Sequence, residues 1–340
     1  MTRFRNLALG GLAALAIGGV ASSALAEETG SFQNRLNGAT VGLPLGALPP
    51  PGLYTGIETV YLGMLGVGPN TKGNQGTPNI YLPAIAQAVP LLWVPGWNFL
   101  GATYAMSAVQ AFYNNNNTGT TSAGTPFSTP GGLVGTGNYT TANTLWNPIA
   151  LSWNLGAGWF VSVGFNFTGP DGTHTTSGGL FTPNPDYWTF EPTFAVAYLA
   201  NNWVLAANFF YDINSKSAGH CCASSLGIPG GPFTITSGNT LYGDFTAAYK
   251  FGKWEVGPVG YFEVQTTADT GTGCAIGLCG NLSNVAVGGL VGYDFGPVDL
   301  QVWVTDSVAR ANAIDGLDIW TRLGFRIWAP ESPKPLVAKN

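Results

Sequence analysis

Apolar and polar side chains alternate with a period of two along much of the second half of the chain. In 203–211, Trp203, Leu205, Ala207, Phe209 and Tyr211 share one face, and Asn208 and Asp212 take the other. In 188–198, Trp188, Phe190, Phe194, Val196 and Tyr198 oppose Thr189, Glu191 and Thr193. Leu241, Phe245, Ala247, Tyr249 and Phe251 oppose Tyr242, Asp244, Thr246 and Lys250. The last such stretch sets Ile319, Leu323, Phe325 and Ile327 against Asp318, Trp320, Arg322 and Arg326. A β-strand turns its side chains to opposite faces residue by residue, so each stretch predicts a strand with one apolar and one polar face.

Twelve strands are predicted, near 53–65, 80–94, 97–113, 144–155, 158–168, 187–199, 202–213, 239–251, 254–268, 284–295, 298–308 and 316–328. Their connections alternate. Tight turns read VPGW (94–97), LGAG (155–158), LANNW (199–203), FGKW (251–254) and FGPV (295–298). Long Gly/Asn/Thr/Ser/Pro-rich loops fall near 66–79, 114–143, 169–186, 213–238, 269–283 and 309–315. An up-and-down sheet whose two rims differ produces this rhythm, as outer-membrane barrels do with short periplasmic turns and long extracellular loops.

Alternation alone does not separate a barrel in lipid from a sandwich in water. Strand length does, because about 11–14 residues suit a tilted bilayer span and 5–6 are usual in globular proteins. Trp93, Trp97, Trp153, Trp159, Trp188, Trp203, Trp254 and Trp328 stand at strand ends, where amphipathic rings meet the lipid–water boundary. An even strand number also puts both chain ends and every tight turn on the periplasmic side. A helical span is disfavoured: the longest uncharged apolar run, 80–109, is cut by Pro83, Pro90, Pro95 and Gly96. A short plug or rim helix within 80–94 stays open. If 80–94 is a strand, its prolines predict a bulge or irregular ladder there.

Composition then narrows the class. Charged residues are 9% of the chain, against roughly 25% in a typical soluble domain. Between Lys72 and Asp171 there are none, while 13% of the chain is aromatic. The pattern Arg3, Arg5, LALGGLAALAIGGVA and Ala24-Leu25-Ala26 reads as a cleaved secretory signal, residues 1–26. Its removal leaves 10 basic and 17 acidic side chains, a net charge near −7, and no basic footprint for nucleic acid. The expected organisation is a signal (1–26), an N-terminal periplasmic or lumenal segment (27–52), a barrel (53–328) and a Pro-rich tail (329–340).

Four segments, in order, resemble one family: GALPPPGLYTG (46–56), NPIALSWNLGAGWFVSVGFNFTGPDG (147–172), YWTFEPTFAVAYLANN (187–202) and GDFTAAYKFGKWEVGPVGYFEVQTTAD (243–269). The W-x-F-E-P run around Glu191 is the most specific piece. The chain is similar to the meta-pathway phenol-degradation family of outer-membrane proteins, related in outline to long-chain fatty-acid transporter type channels. The resemblance implies a barrel, outer-membrane placement, and uptake of aromatic or other hydrophobic compounds. The chain departs from that pattern in its four loop cysteines and in its tail APESPKPLVAKN (329–340).

The facing pattern puts Glu58, Glu191, Asp244, Lys250, Glu263, Asp318, Arg322 and Arg326 in the lumen. There they form either an internal ion-pair network or a constriction that sets selectivity. Charges are so scarce that each should have a partner, Glu191 and Arg322 above all. Cys221, Cys222, Cys274 and Cys279 lie in exported loops and are disulfide candidates, by a local Cys274–Cys279 bond or by ties between the two loops. No metal site or cofactor is expected. The only histidines, His174 and His220, fall in outer loops without a GxSxG motif, so no catalytic residue is assigned. The loop 111–132 is long enough to fold into the mouth or to remain a surface loop.

The function expected from the sequence is a passive outer-membrane channel for small hydrophobic or aromatic compounds. Its surroundings would be outer-membrane lipid and lipopolysaccharide. A structural or adhesive barrel with partner-binding loops is the alternative, and a barrel hydrolase the third.

Overall fold

The computed structural model describes residues 33–62, 84–115, 118–120, 126–128, 140–173, 184–216, 236–272, 274, 281–311, 313 and 316–330. It is an all-β, closed, up-and-down antiparallel barrel of twelve strands. They are β1 (Gly52–Leu62), β2 (Ala84–Val94), β3 (Ala102–Asn115), β4 (Leu145–Gly156), β5 (Trp159–Thr168) and β6 (Thr189–Ala200), followed by β7 (Trp203–Asn214), β8 (Thr240–Phe251), β9 (Trp254–Gln265), β10 (Ser283–Asp294), β11 (Val298–Ala311) and β12 (Leu317–Trp328). Each pairs with its neighbours in sequence. β1 closes on β12 from Leu53↔Trp328 to Leu62↔Asp318, so no edge is left with unpaired backbone groups in lipid. No described helix is long and apolar enough to cross a membrane.

The outward face is largely apolar and exposed: Ile57, Leu91, Phe165, Phe194, Phe245, Val287, Val304 and Ile319 belong to it. In water such a continuous belt would drive aggregation; in the outer membrane it meets its own solvent. Aromatic pairs ring the tight-turn rim. Trp97 stacks on Tyr104 at 5.5 Å, and Trp159–Tyr198, Trp203–Tyr249 and Trp254–Tyr293 follow around it at 4.9, 5.1 and 4.7 Å. Trp188, near Phe167 and Phe190, marks the opposite rim. Phe194 lies midway along β6 on the lipid face, so Phe194→Arg is expected to destabilise the barrel by about 2–4 kcal/mol. Denaturant unfolding in lipid vesicles measures this, and no change would contradict the assigned facing.

Two-residue turns set the register at the tight rim. Ala200 pairs with Trp203 across Asn201 and Asn202, whose φ values of 52° and 66° are both left-handed. Asparagine tolerates that conformation, and the resulting turn matches the twist of the strands.

Two local expectations are corrected. β3 begins at Ala102 rather than 97, because Trp97 to Gly101 form the turn, with Asn98–Phe99 pairing back on Ala102 and Thr103. The second strand is not bulged at Pro90. Its register with β1 is continuous from Thr55↔Leu91 to Glu58↔Ala88, and the Thr55 hydroxyl donates to the Pro90 carbonyl at 2.7 Å. The bulge sits on β4 instead, at Pro148, where both neighbouring ladders slip. The signal, the tail beyond 330, both histidines, most of the loop 111–132 and Cys221, Cys222 and Cys279 lie outside the described residues. Cys274 is disulfide-bonded.

Candidate functional site

The lumen is not empty. Residues 33–51 have no strand and no periodic pattern; they run through the barrel from the long-loop end down to β1. Such a segment must satisfy its backbone groups with partners from outside itself. Lumen-facing side chains supply them. Asp244 of β8 accepts from the Gly38 and Thr40 amides at 3.2 and 3.0 Å and from the Thr40 hydroxyl at 2.5 Å. Thr246 accepts from the Gly42 amide at 2.8 Å, and Asn208 of β7 donates to the Leu43 carbonyl at 2.9 Å. Lower down, Ser162 of β5 and Ser152 of β4 donate to the carbonyls of Leu45 and Gly46 at 2.9 and 2.7 Å. We call 33–51 the plug.

Two arginines carry the charge of this contact. Arg35, on the plug, is 7% exposed. Its guanidinium bonds the Glu191 carboxylate of β6 at 3.3 and 3.4 Å, lies 3.7 Å from Asp244, and stacks 3.2 Å above the Phe210 ring. Arg322, on β12, reaches the other way. It pairs with Glu58 of β1 and donates to the plug carbonyls of Val41 and Ala39 at 2.8 and 2.5 Å. Its guanidinium lies 4.6 Å from the Trp303 ring. Each of these two buried arginines thus meets an opposite charge and at least one hydrogen bond, which offsets the cost of burying it.

The apolar side chains of the plug face a different sector. Val41 joins Val60, Leu290, Trp303 and Trp320 in one buried cluster, with Leu36 and Ala39 packed against it. Trp303 and Trp320 stack with ring centroids 5.3 Å apart. Close approach is allowed by glycine. Gly42 has φ +80°, and a Cβ there would stand 2.8 Å from both the Gln301 amide oxygen and a Leu290 methyl. Gly42→Ala should therefore weaken plug docking by about 1–3 kcal/mol through φ strain and crowding. Greater protease sensitivity of the N-terminal segment would register it, with the barrel intact.

The residues singled out from the sequence fall into three groups. Glu191, Asp244 and Arg322 bond the plug as described, and Glu58 pairs with Arg322. Glu263 is buried on β9, and Asp318 of β12 accepts from the Tyr261 hydroxyl at 3.1 Å. Lys250 and Arg326 are on inward register positions but at the tight-turn rim, not inside the lumen. The Lys250 side chain is 56% exposed, 3.6 Å from Glu255, and Arg326 is exposed. Rim side chains of a strand share the lumen parity yet lie beyond the space that the wall encloses. Arg35 was missed, since nothing periodic marks its surroundings. Scarcity of cations was the available signal, because an arginine in so uncharged a chain needs a reason.

Where the plug does not touch, the wall is uncharged. Ala88, Pro90 and Leu92 of β2, Ser107 and Val109 of β3, and Leu145, Asn147 and Ala150 of β4 occupy inward positions, set by their pairing with Glu58 and with each other. All are half-buried, whereas the inward residues of β7 and β8 are buried from Val204 to Asp212 and from Tyr242 to Ala248. Leu43, Pro44 and Leu45 of the plug are half-buried as well. The accessible side of the lumen is therefore an apolar strip along β2–β4, opposite the polar side that clamps the plug.

The sequence matches, over residues 68–323, the profile of the family described as "Putative MetA-pathway of phenol degradation". The chain belongs to this family. Among solved structures, this family member is similar to an outer-membrane channel from Pseudomonas putida F1. The TM-score is 0.63 at 11% identity, covering 82% of this chain and 96% of that one. The P. putida toluene transporter TodX matches at TM-score 0.42 and 10% identity over 88% of this chain and 95% of that one. The translocator domain of the Neisseria meningitidis autotransporter NalP matches at 0.42 and 11% over 82% and 89%. No curated protein matches the sequence.

Proposed function

We propose that the chain is a channel for passive uptake of small hydrophobic or aromatic compounds across the lipopolysaccharide face of the outer membrane. The observation that carries this reading is the uncharged strip of Ala88, Pro90, Leu92, Val109, Leu145 and Ala150 beside a plug that holds the lumen charges to itself. A path for hydrated ions or sugars would present polar and charged groups to the open side of the lumen. Here the open side is uncharged and mostly apolar on both the wall and the plug, with Ser107 and Asn147 its polar inward residues, so an apolar solute strands few polar groups. The family description points to aromatic degradation, and the P. putida F1 barrel is itself described as a channel.

Neither an energy-coupling motif nor a nucleotide-binding loop occurs in the sequence, so flux follows the gradient. Glu191 and Asp244 are engaged in holding the plug, and Glu58 and Asp318 in bonds within the wall, which favours a channel over an enzyme. Uptake of labelled toluene by cells with an intact lipopolysaccharide layer, with and without the protein, tests this. Faster entry at low concentration is expected, and protein-independent entry would leave the structural or adhesive barrel as the better account.

A further inference from the structure

The plug is threaded from outside to inside. Its partners descend in sequence order: Asn34 meets Thr189 at the outer start of β6, Thr40 meets Asp244 on β8, and Gly46 meets Ser152 near the tight-turn end of β4. In barrels of this kind the tight turns lie in the periplasm and the long loops outside. The expectation that both chain ends are periplasmic therefore fits the end of β12 at Trp328, but not Asn34, which stands at the outer mouth.

The two ends of the plug are held differently. Its inner end runs on into β1 through Pro49-Pro50-Pro51, a run of fixed φ, and the Tyr54 hydroxyl donates to the Pro50 carbonyl at 2.6 Å. At its outer end, above Arg35, it is clipped by one side chain. The Asn34 amide donates to the Thr189 hydroxyl at 2.7 Å, and its oxygen accepts from Asn143 at 2.8 Å. Both partners belong to the roots of long loops. Asn143 is itself bonded to Asn184 and Gly172 of the β5–β6 connection. Thr189 donates to Asn214 at 2.8 Å, Asn214 to the Gly238 carbonyl at 3.1 Å, and the Gly238 amide to Asp269 at 2.8 Å. A hydrogen-bonded band thus runs along the mouth from the β3–β4 connection to the β9–β10 connection, and Asn34 is a link in it.

We propose that the plug is gated from the cell surface: the loop roots grip its outer end through Asn34, and the chain ahead of residue 33 opens among the long loops on the outside. This adds regulation of the same lumen to the uptake reading, on which it rests only for what the path is used for. The inner end is covalently fixed to the wall, so release starts at the clipped end. A change at the loop roots shifts the plug only if it bonds the docked and released states differently. The two bonds of Asn34 are made in the docked state alone, so a solute captured among the loops that displaces Asn143 or Thr189 favours release. A pull from the periplasm would act on the end that is already fixed.

Two measurements test this. A short epitope inserted between Thr29 and Gly30, past the expected cleavage site, should bind antibody on intact cells, and the same epitope after Asn340 only on permeabilised ones. Any other distribution would overturn the proposal. In planar bilayers, Asn34→Ala and Asn143→Ala should each raise the frequency of openings by about tenfold, the worth of a hydrogen bond or two. The double variant should open no more often than Asn34→Ala alone, because both changes remove the same link. Heat-modifiable migration confirms a folded barrel for each variant. Unchanged openings in both folded single variants, or effects that multiply in the double, would also overturn it. Neither readout involves a solute, so toluene entry that proved independent of the protein would remove the uptake reading and leave this one standing.

Discussion

Replacing Arg35 with methionine is expected to convert a barrel that conducts little into one with frequent, long-lived openings in planar bilayers. The substitution keeps most of the side-chain stem and removes the charge. Glu191 and Asp244 then lose their shared cation inside the lumen, and Phe210 loses the guanidinium above it. Breaking a buried pair by deleting one partner costs about 3–5 kcal/mol, because the remaining charge is left uncompensated. The wall keeps its ladder of backbone hydrogen bonds, so the cost falls on plug docking and not on the barrel. Several kcal/mol corresponds to a shift of roughly a hundredfold or more in the docked-to-released ratio. Unchanged conductance in a variant that still migrates as a folded barrel would show that Arg35 does not hold the plug.

Glu58 and Arg322 form the second latch, and the two differ in kind. The Arg35 latch joins plug to wall across a sequence separation of 156 residues. The Arg322 latch is wall to wall, between β12 and β1, and touches the plug through the backbone carbonyls of Ala39 and Val41. Loss of Arg322 would therefore weaken the seam that closes the barrel as well as the plug. Only Arg35 separates the two effects.

This division explains what could be read from the sequence. The walls of β6, β7, β8 and β12 were legible because lipid demands large apolar side chains outward, while the plug selects polar ones such as Glu191, Asn208, Asp244 and Arg322 inward. A period of two results. The tight turns were legible because Asn201-Asn202 and Gly252 suit left-handed backbone. The plug itself was not. Its contacts run through backbone amides and carbonyls to side chains 106–283 residues away, and backbone bonding leaves no residue signature. The spacing of Gly38, Gly42 and Gly46, each pressed against the wall, was a trace of it. Proline misled in a related way. Pro90 keeps its register, whereas Pro148 sits at a bulge, and the difference depends on partners in neighbouring strands.

Introducing a charge into the uncharged strip should abolish its use as a path while leaving the plug in place. In Val109→Asp the carboxylate would face Pro90 and Leu145 across the two ladders, with no cation in β2, β3, β4 or β5. It could stay ionised only by holding water in the strip. An apolar solute would then lose the valine contact, worth about 1.5 kcal/mol or more, and would have to displace that water. Uptake of toluene by lipopolysaccharide-intact cells is expected to fall by roughly tenfold or more on that basis. The same change at the rim, Val256→Asp on β9, faces away from the lumen and should leave uptake near the wild-type rate. The two variants have equal charge, but only Val109→Asp places it on the strip, so the comparison separates an effect on the path from a general effect of added charge. If toluene uptake survived Val109→Asp in a folded barrel, the solute would have to cross elsewhere. The side of the lumen clamped around the plug is already filled, so that outcome would require the plug to leave, and Arg35→Met would then raise toluene uptake as well as conductance. With the path along β2–β4, Arg35→Met should raise conductance far more than it raises toluene entry. Measuring both quantities on both variants distinguishes a solute that slips past a seated plug from one that must wait for it to move.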